Sequence, residues 1–251
     1  MKPGPIQEAD VVALSHDGRG IARIDGKAVF IEGALPGERV SLRVVKRRRQ
    51  MDEACLGSIL VPSPDRVAPK CAHFGICGGC SLQHLAPAAQ LAAKQSQLLE
   101  DLARIGRVTP QRVIAPLRGP EWGYRRRARL GVRYVHKKGR VLAGFREREK
   151  PYLADIRHCE VLVPQLRALP EALAALVGTL TIREQVPQVE VAVGDDAAAL
   201  VFRLMQPAAP SDLEKLDAFG RAHALCIYLQ TGGIDTIRPL HPDYPPDRTR
   251  S

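Results

Sequence analysis

The chain has 251 residues, 45% of them hydrophobic, and its formal net charge is +10. This length allows one large domain or two smaller ones with their own cores. No apolar run approaches the roughly 20 residues of a membrane span, and the first ten residues lack the apolar core of a signal peptide. We therefore expect a cytoplasmic protein with no membrane partner, whose six cysteines are reduced thiols or metal ligands rather than disulfides.

The positive charge is concentrated in the middle of the chain. Residues 71–160 contain 17 Lys and Arg against 7 Asp and Glu, whereas residues 161–251 contain 8 against 11. A field concentrated in this way attracts a polyanion. The charge therefore favours a nucleic acid as the partner, with a solvated face that binds nothing as the alternative.

Residues 1–63 predict a small β-barrel. Short apolar strands are separated by Gly and Pro, and Asp25-Gly26 is a strong signal for a two-residue hairpin. Residues 39–45 alternate between apolar and polar, as a half-buried strand does. Several short strands in about fifty residues, without a helix signal, indicate an OB-like barrel.

Four cysteines follow the barrel in a pattern typical of a metal or iron–sulfur centre. Cys71, Cys77 and Cys80 crowd into ten residues, and Cys159 stands 79 positions later. The unequal spacing suits a [4Fe-4S] cluster, since zinc ribbons usually have two Cys-x2-Cys pairs and only one is present. Zinc and unliganded thiols are the alternatives. Cys55 and Cys226 lie in apolar runs, so we expect them to be buried and inert.

Residues 64–240 predict an α+β domain with a mainly antiparallel sheet that carries this iron–sulfur site. Its predicted helices are separated by β-hairpins, whereas a parallel nucleotide-binding fold alternates helices with single strands. Ser211 and Glu214 form a capping-box pattern at the start of the last helix. In order, the predicted elements are helix 87–105, strands 127–135 and 141–145, helix 163–180, strands 189–193 and 198–204, helix 211–223 and strand 225–229.

Two basic segments predict the RNA-binding surface. The first follows the best barrel strand, and the second has eleven Lys and Arg against two acidic residues between positions 125 and 150. Arginine suits bidentate phosphate contacts, and Trp122, Tyr124 and Tyr134 could stack on unpaired bases. The alternative is that Trp122 and Tyr134 are ordinary core aromatics. Residues 127, 129 and 133 share one face of a strand. The candidates are Lys46, Arg47, Arg48, Arg49, Arg125, Arg126, Arg127, Arg129, Lys137, Lys138 and Arg140.

Several motifs together resemble a known family, the bacterial 23S rRNA uracil-C5 methyltransferases that carry an N-terminal TRAM domain and an iron–sulfur centre. The resemblance implies that the barrel is a TRAM domain, that Cys71, Cys77, Cys80 and Cys159 hold a [4Fe-4S] cluster, and that a monomer binds ribosomal RNA. Relatives that methylate tRNA are expected to lack both the barrel and the cysteines. The matching stretches are GRGIAR at 18–23, AVFIEGALPGE at 28–38, CAHFGICGGC at 71–80, WGYRRRARL at 122–130, GFR at 144–146 and HC at 158–159.

The resemblance also implies a part that this sequence does not match. In that family a C-terminal Rossmann-like domain binds S-adenosylmethionine and carries the catalytic cysteine. Residues 241–251 lie where such a domain would begin, so we expect a natural truncation, a frameshifted product or a cut piece that binds RNA without methylating it. A free-standing RNA-binding or ribosome-assembly module and a zinc-binding nucleic-acid module are the alternatives.

Overall fold

The computed structural model describes residues 5–148 and 150–241. The chain divides into two compact units, one formed by Met1–Gly75 with Cys80–Arg118, the other by Ile76–Gly79 with Gly119–Ser251. The predicted boundary after residue 63 lies within the first unit. Apart from residue 241, the predicted tail 241–251 lies outside the described residues.

The first unit contains a closed five-stranded barrel, as the sequence predicts. Its strands are β1 (Ile6–Leu14), β2 (Gly20–Ile24), β3 (Lys27–Glu32), β4 (Arg39–Arg47) and β5 (Met51–Val61). They close in the order β1-β2-β3-β5-β4, and only β3 and β5 pair in parallel. On β4 the side chains of Val40, Leu42 and Val44 point into the core while their neighbours are half-buried or exposed. Closure leaves no unpaired edge, which protects the barrel from strand-to-strand association.

The β2–β3 hairpin forms where Asp25-Gly26 predicts it. Both residues have positive φ, 50° at Asp25 and 78° at Gly26, as a type I′ turn requires. This turn matches the right-handed twist of the strands, so the local sequence sets the register of the hairpin.

A buried ion pair fastens the chain that leaves the barrel. Glu38 is 1% exposed, and its carboxylate accepts hydrogen bonds from the Leu35 amide (2.8 Å) and from Nη2 of Arg66 (2.9 Å). Arg66 also donates to the carbonyl of Gly33 at 2.7 Å. Burial raises the pKa of Glu38, but the hydrogen bonds from Arg66 and the Leu35 amide outweigh it and hold that pKa below its ordinary value.

Helix α1 (Pro87–Arg104) belongs to the same unit and confirms the predicted helix. It begins at a proline, whose fixed φ suits the first helical position. The Gln90 side chain donates to the carbonyls of Leu82 (3.0 Å) and Leu85 (2.8 Å), which holds the first turn in place. No residue of α1 is buried.

The second unit is an α+β fold around a six-stranded sheet. The strands are β6 (Arg127–Val135), β7 (Arg140–Gly144), β8 (Gln188–Val193), β9 (Ala198–Arg203), β10 (Leu225–Gln230) and β11 (Arg238–Pro239), in the order β11-β10-β9-β8-β6-β7. Only β9 and β10 pair in parallel, so the prediction of a mainly antiparallel sheet is confirmed. Helices α2 (Leu169–Gly178) and α3 (Pro210–His223) pack on one face and build the core with residues such as Leu130, Leu173, Phe202, Leu216 and Ile227.

Two details of the predicted helices are wrong. The segment 163–180 is split into a 3-10 turn at Pro164–Leu166 and helix α2, because Pro164 and Pro170 each suit a first helical turn. The expected capping box at Ser211 does not form, and α3 starts at Pro210 without a side-chain cap. Asp212 instead accepts hydrogen bonds from the amide of Thr181 (2.9 Å) and from its hydroxyl.

Within the described ranges, no helix is both long and apolar enough to cross a bilayer.

Candidate nucleic-acid interface and cysteine loop

The first basic segment lies at the β4–β5 turn, where Lys46, Arg47, Arg48 and Arg49 are all exposed. Arg48 pairs with Glu53 at 2.9 Å, and Arg47 reaches Asp52 only at 4.0 Å. Lys27 donates to Asp52 at 2.6 Å and lowers the pKa of that carboxyl. In the part of the chain that the structure describes, Lys46 and Arg49 enter no ion pair, so their charges face solvent.

Strand β6 presents a row of arginines on one face, as its alternation predicts. Arg127, Arg129 and Arg133 are exposed, whereas Leu130 and Val132 between them are buried. Arg129 pairs with Glu190 of the neighbouring strand at 3.0 Å. Arg127 and Arg133 make no ion pair with any described residue, and they are the two arginines of this row with uncompensated charge.

The β6–β7 connection carries the second group of cations. Lys137 and Lys138 lie in a 3-10 turn, His136–Lys138, that Gly139 closes with a φ of 62°. Arg140 donates to Asp155 at 2.6 Å, and Lys138 binds the same carboxylate. The hydrogen bond from Lys138, together with Arg140, holds the pKa of Asp155 below its ordinary value. Lys137 is exposed and pairs with no acidic side chain in the described ranges.

The two arginines that precede β6 are used in different ways. Arg126 is exposed and pairs with Asp195 at 2.6 Å. Arg125 is half-buried, donates from Nη2 to the carbonyl of Gly79 at 3.2 Å, and lies 5.5 Å from the Phe145 ring centroid. Arg125 therefore makes a structural contact with the loop at residues 76–79, which the sequence did not predict.

The three aromatic residues near the basic segment also differ in how exposed they are. Tyr134 packs against the core of the second unit, with Arg183 stacked on its ring at 4.6 Å, so its position is that of a core aromatic. Trp122 is half-buried, and Tyr124 is 48% exposed. Of the three, Tyr124 is the residue that an unpaired base could reach.

Residues 76–79, the cysteine loop, are hydrogen-bonded to the chain after β7. The Gly78 amide donates to the carbonyl of Arg146 (2.8 Å), and the Arg148 amide donates to that of Ile76 (2.9 Å). A Cβ at Gly78 would lie 3.0 Å from the Arg146 oxygen, and one at Gly79 would lie 3.2 Å from the Phe145 ring. The two glycines are needed because the loop approaches this segment so closely.

The sulfur of Cys77 receives an amide hydrogen bond. The Gly79 amide lies 3.4 Å from Sγ of Cys77, a contact that stabilises negative charge on sulfur. This feature suits a thiolate ligand of a metal centre, and it arises from the Cys-Gly-Gly turn itself.

The predicted ligands are divided between the two units. Cys71 and Cys80 belong to the first unit and are half-buried, whereas half-buried Cys77 and buried Cys159 belong to the second. Among the described residues, no group of three or more His, Cys, Asp or Glu side chains is placed to hold a metal ion. The iron–sulfur ligand set therefore stays a prediction.

The expectation for the other two cysteines is partly wrong. Cys55 is exposed, because the alternation of β5 buries Asp52 and Ala54 and turns Cys55 outward. Cys226 is partly buried on β10, and burial raises the pKa of its thiol.

Arg43 is an exposed cation of the barrel that was not among the predicted residues. It projects from β4 between buried Leu42 and Val44 and forms no ion pair within the described ranges. The apolar–polar alternation of residues 39–45 carried the signal for it.

Comparisons with known proteins agree with the barrel. Residues 2–54 match the TRAM domain model. A protein of Nitrosococcus oceani, the 23S rRNA (uracil(1939)-C(5))-methyltransferase, is 50% identical over 237 residues, which are 94% of this chain and 53% of that protein. The enzyme of the same name from Thiobacillus denitrificans is 47% identical over 95% of this chain and 55% of its own length. The chain spans about half the length of the curated relatives it matches.

One solved structure shares the fold. The crystal structure of the Pyrococcus abyssi tRNA (uracil-54, C5)-methyltransferase in complex with S-adenosyl-L-homocysteine superposes with a TM-score of 0.61 at 21% identity, over 92% of this chain and 54% of that one. The unmatched 8%, about 20 residues, is shorter than the barrel. The expectation that tRNA-methylating relatives lack the barrel is therefore wrong, and the barrel does not by itself separate ribosomal from transfer RNA.

Proposed function

We propose that this chain is the RNA-binding part of an S-adenosylmethionine-dependent 23S rRNA uracil-C5 methyltransferase. The observation that carries the proposal is the 47–50% identity to proteins of that name across nearly the whole chain. The chain would act as a monomer in the cytoplasm, with ribosomal RNA as its partner.

The charged surface supports RNA binding. Lys46, Arg49, Arg127, Arg133 and Lys137 are exposed cations without an acidic partner among the described residues. Such side chains can contact phosphates and release counterions without first giving up an ion pair. Arg126, Arg129, Lys138 and Arg140 are already paired, so a phosphate would have to compete with a carboxylate for each of them.

Methyl transfer is proposed for the whole protein and not for these 251 residues on their own. In the family that the motifs resemble, S-adenosylmethionine is bound by a Rossmann-like domain, which binds its ligand where parallel strands end. The six-stranded sheet described here is mainly antiparallel, with β9 and β10 as its parallel pair. The described residues would hold the RNA while another part of the protein supplies the methyl donor.

A [4Fe-4S] cluster on Cys71, Cys77, Cys80 and Cys159 is also proposed, with a structural role. Thiolate donors suit such a cluster, and the amide directed at Sγ of Cys77 supports ligation there. The described placement does not gather three ligands. RNA binding by the exposed cations does not depend on the cluster, and iron analysis of the purified protein tests whether the cluster is present.

The test is the salt dependence of RNA binding. The 251-residue protein and the variant Arg127→Ala/Arg133→Ala/Lys137→Ala are titrated with an rRNA stem-loop at increasing KCl. Losing three phosphate contacts is expected to reduce the slope of log K against log [salt] by about 2 to 3. The control Lys215→Ala/Arg221→Ala/Arg238→Ala removes the same charge from other positions and should leave most of the slope intact.

Two results would contradict the proposal. An unchanged slope in the first variant, or an equal loss in the control, would mean that these cations do not form the interface. Methyl incorporation into the RNA by the 251-residue protein with labelled S-adenosylmethionine would overturn the assignment of catalysis to another part of the protein.

A further inference from the structure

Helix α1 has an apolar stripe that is only partly covered. Leu91, Leu98 and Leu102 recur at the spacing of one helix face, yet none of the 18 residues is buried and Leu98 is 58% exposed. An isolated helix of this length is marginal in water, since most helices in proteins are stabilised by packing of their apolar face. Leu91 and Leu102 are half-buried and Leu98 faces solvent, so the stripe has less packing than a helix of this length normally has.

The chain that follows α1 continues the exposed apolar surface. Residues 105–124 contain no helix or strand. Their large apolar side chains include Ile105 (80% exposed), Val108 (54%), Val113 (49%), Ile114 (70%) and Leu117 (100%). Single exposed apolar residues are ordinary, but a run of them beside a helix face without a fully buried residue marks an interaction site.

We propose that α1 and residues 105–118 form a docking surface for the second half of the whole protein. The relatives are nearly twice as long as this chain, and their match covers 94–95% of it. No more than about 14 residues lie outside the match, so most of this 32-residue surface has a counterpart in the relatives. About half of each relative is left to cover it. The inference rests on the proposed function in one respect: it takes the other half of the methyltransferase as the occupant of this surface.

The chemistry of the surface favours a polypeptide over RNA. Its exposed apolar side chains are aliphatic, and residues 87–118 contain no aromatic ring for base stacking. The exposed cations Arg104, Arg107, Arg112 and Arg118 alternate with these aliphatic residues along the sequence, and such cations suit the polar rim of a protein interface. The occupant is expected to offer aliphatic or aromatic side chains bordered by carboxylates.

The experiment compares the same substitutions in a half-length and a full-length protein. Leu98→Glu and Leu117→Glu are made in the 251-residue protein and, at the aligned positions, in the full-length Nitrosococcus oceani relative. In the 251-residue protein the melting temperature should move by less than about 2 °C, because exposed positions tolerate charge. In the full-length relative it should fall by about 5 °C or more, because the charge would enter a packed interface.

Met205→Glu is the matched control, since Met205 is 61% exposed and lies outside the proposed surface. It should leave the melting temperature of both proteins nearly unchanged. Hydrogen exchange gives a second measurement, with peptides covering residues 87–118 expected to exchange at least about tenfold more slowly in the full-length relative.

Three outcomes would overturn the inference. Equal small shifts in both proteins, with equal hydrogen exchange, would mean that the surface stays uncovered in the whole enzyme. A dimer of the 251-residue protein that Leu98→Glu dissociates in sedimentation would assign the surface to a second copy. A tenfold loss of RNA affinity in Leu98→Glu would assign it to RNA. A failure of the RNA-binding test above would leave these measurements unaffected, so the two proposals can fail separately.

Discussion

The guanidinium of Arg125 donates a hydrogen bond to the main-chain oxygen of Gly79, 46 residues earlier in the chain. The backbone of Arg125 meanwhile pairs with the segment after Cys159, its amide donating to Val161 at 2.7 Å and its carbonyl accepting from Val163 at 3.3 Å. One residue thus joins the two cysteine-bearing segments of the second unit. This arrangement explains why an arginine in a basic run is half-buried rather than directed at solvent.

The first prediction separates Arg125 from its neighbour Arg127. Arg125→Gln should lower the free energy of unfolding by about 1 to 3 kcal/mol, because it removes the hydrogen bond to Gly79 and the stack on Phe145. Arg127→Gln is the matched control and should change stability by less than about 0.5 kcal/mol. Urea unfolding measures both.

The two substitutions should affect RNA affinity in the opposite order, with the larger loss for Arg127→Gln. Arg127→Gln should weaken binding and flatten its salt slope by about one unit, whereas folded Arg125→Gln should keep the slope of the unsubstituted protein. If Arg125→Gln flattened the slope and left stability unchanged, its assignment to the cysteine loop would be wrong.

The second prediction concerns the cysteines. Protein purified without oxygen should be brown and contain iron, and Cys77→Ser or Cys159→Ser should remove most of the iron and the visible absorption. Cys55→Ser is the control, because Cys55 lies on the outer face of the barrel. Colourless protein with one equivalent of zinc would show that the site binds zinc and not an iron–sulfur cluster. Equal iron content in all variants would refute the ligand set.

The third prediction uses the shared partner of two cations. Asp155→Asn removes the carboxylate that Lys138 and Arg140 bind, so both cations become available to phosphate. RNA affinity should rise and its salt dependence should steepen, at a cost in stability of about 1 kcal/mol or less for partly exposed pairs. Asp217→Asn removes a carboxylate that Arg221 binds on α3 and should leave RNA affinity unchanged. A weaker affinity in Asp155→Asn would mean that the pairs position the hairpin for binding.

The fourth prediction concerns acid stability. Because the pKa of Glu38 is lowered in the fold, its contribution to stability is complete above the unfolded pKa, 4.5, and is lost as the pH falls through the lower folded value. Glu38→Gln should therefore destabilise the protein at pH 7 by about 3 to 5 kcal/mol, since it leaves the Arg66 charge without its buried partner. The difference between variant and unsubstituted protein should shrink below pH 4.5.

Glu8→Gln is the control for this effect, because Glu8 forms an exposed pair with Arg39 at 3.2 Å. Its unfolding free energy should differ little from that of the unsubstituted protein at either pH. A difference for Glu38→Gln that stayed constant down to pH 3 would show that the lost energy does not come from the ionised carboxylate.

Local sequence was sufficient for much of the fold. The alternation of residues 39–45 predicts which side of β4 faces the barrel core, and Asp25-Gly26 predicts the hairpin, because both depend on neighbouring residues. The same alternation predicts that Arg127, Arg129 and Arg133 share one face. Side-chain direction on a strand follows from position alone, so these features need no knowledge of distant contacts.

Other features were decided only by contacts between distant segments. Asp212 lies between the two residues of a capping-box pattern that does not form, and its carboxylate binds Thr181, 31 residues away. Arg125 belongs to a basic run, yet its guanidinium donates to the carbonyl of Gly79 and is half-buried. The sequence by itself determined the barrel, the mainly antiparallel sheet and the positions of the charges. Tertiary structure decided which charges remain available and which helix face stays only partly covered, because both depend on what packs against a side chain from elsewhere in the chain.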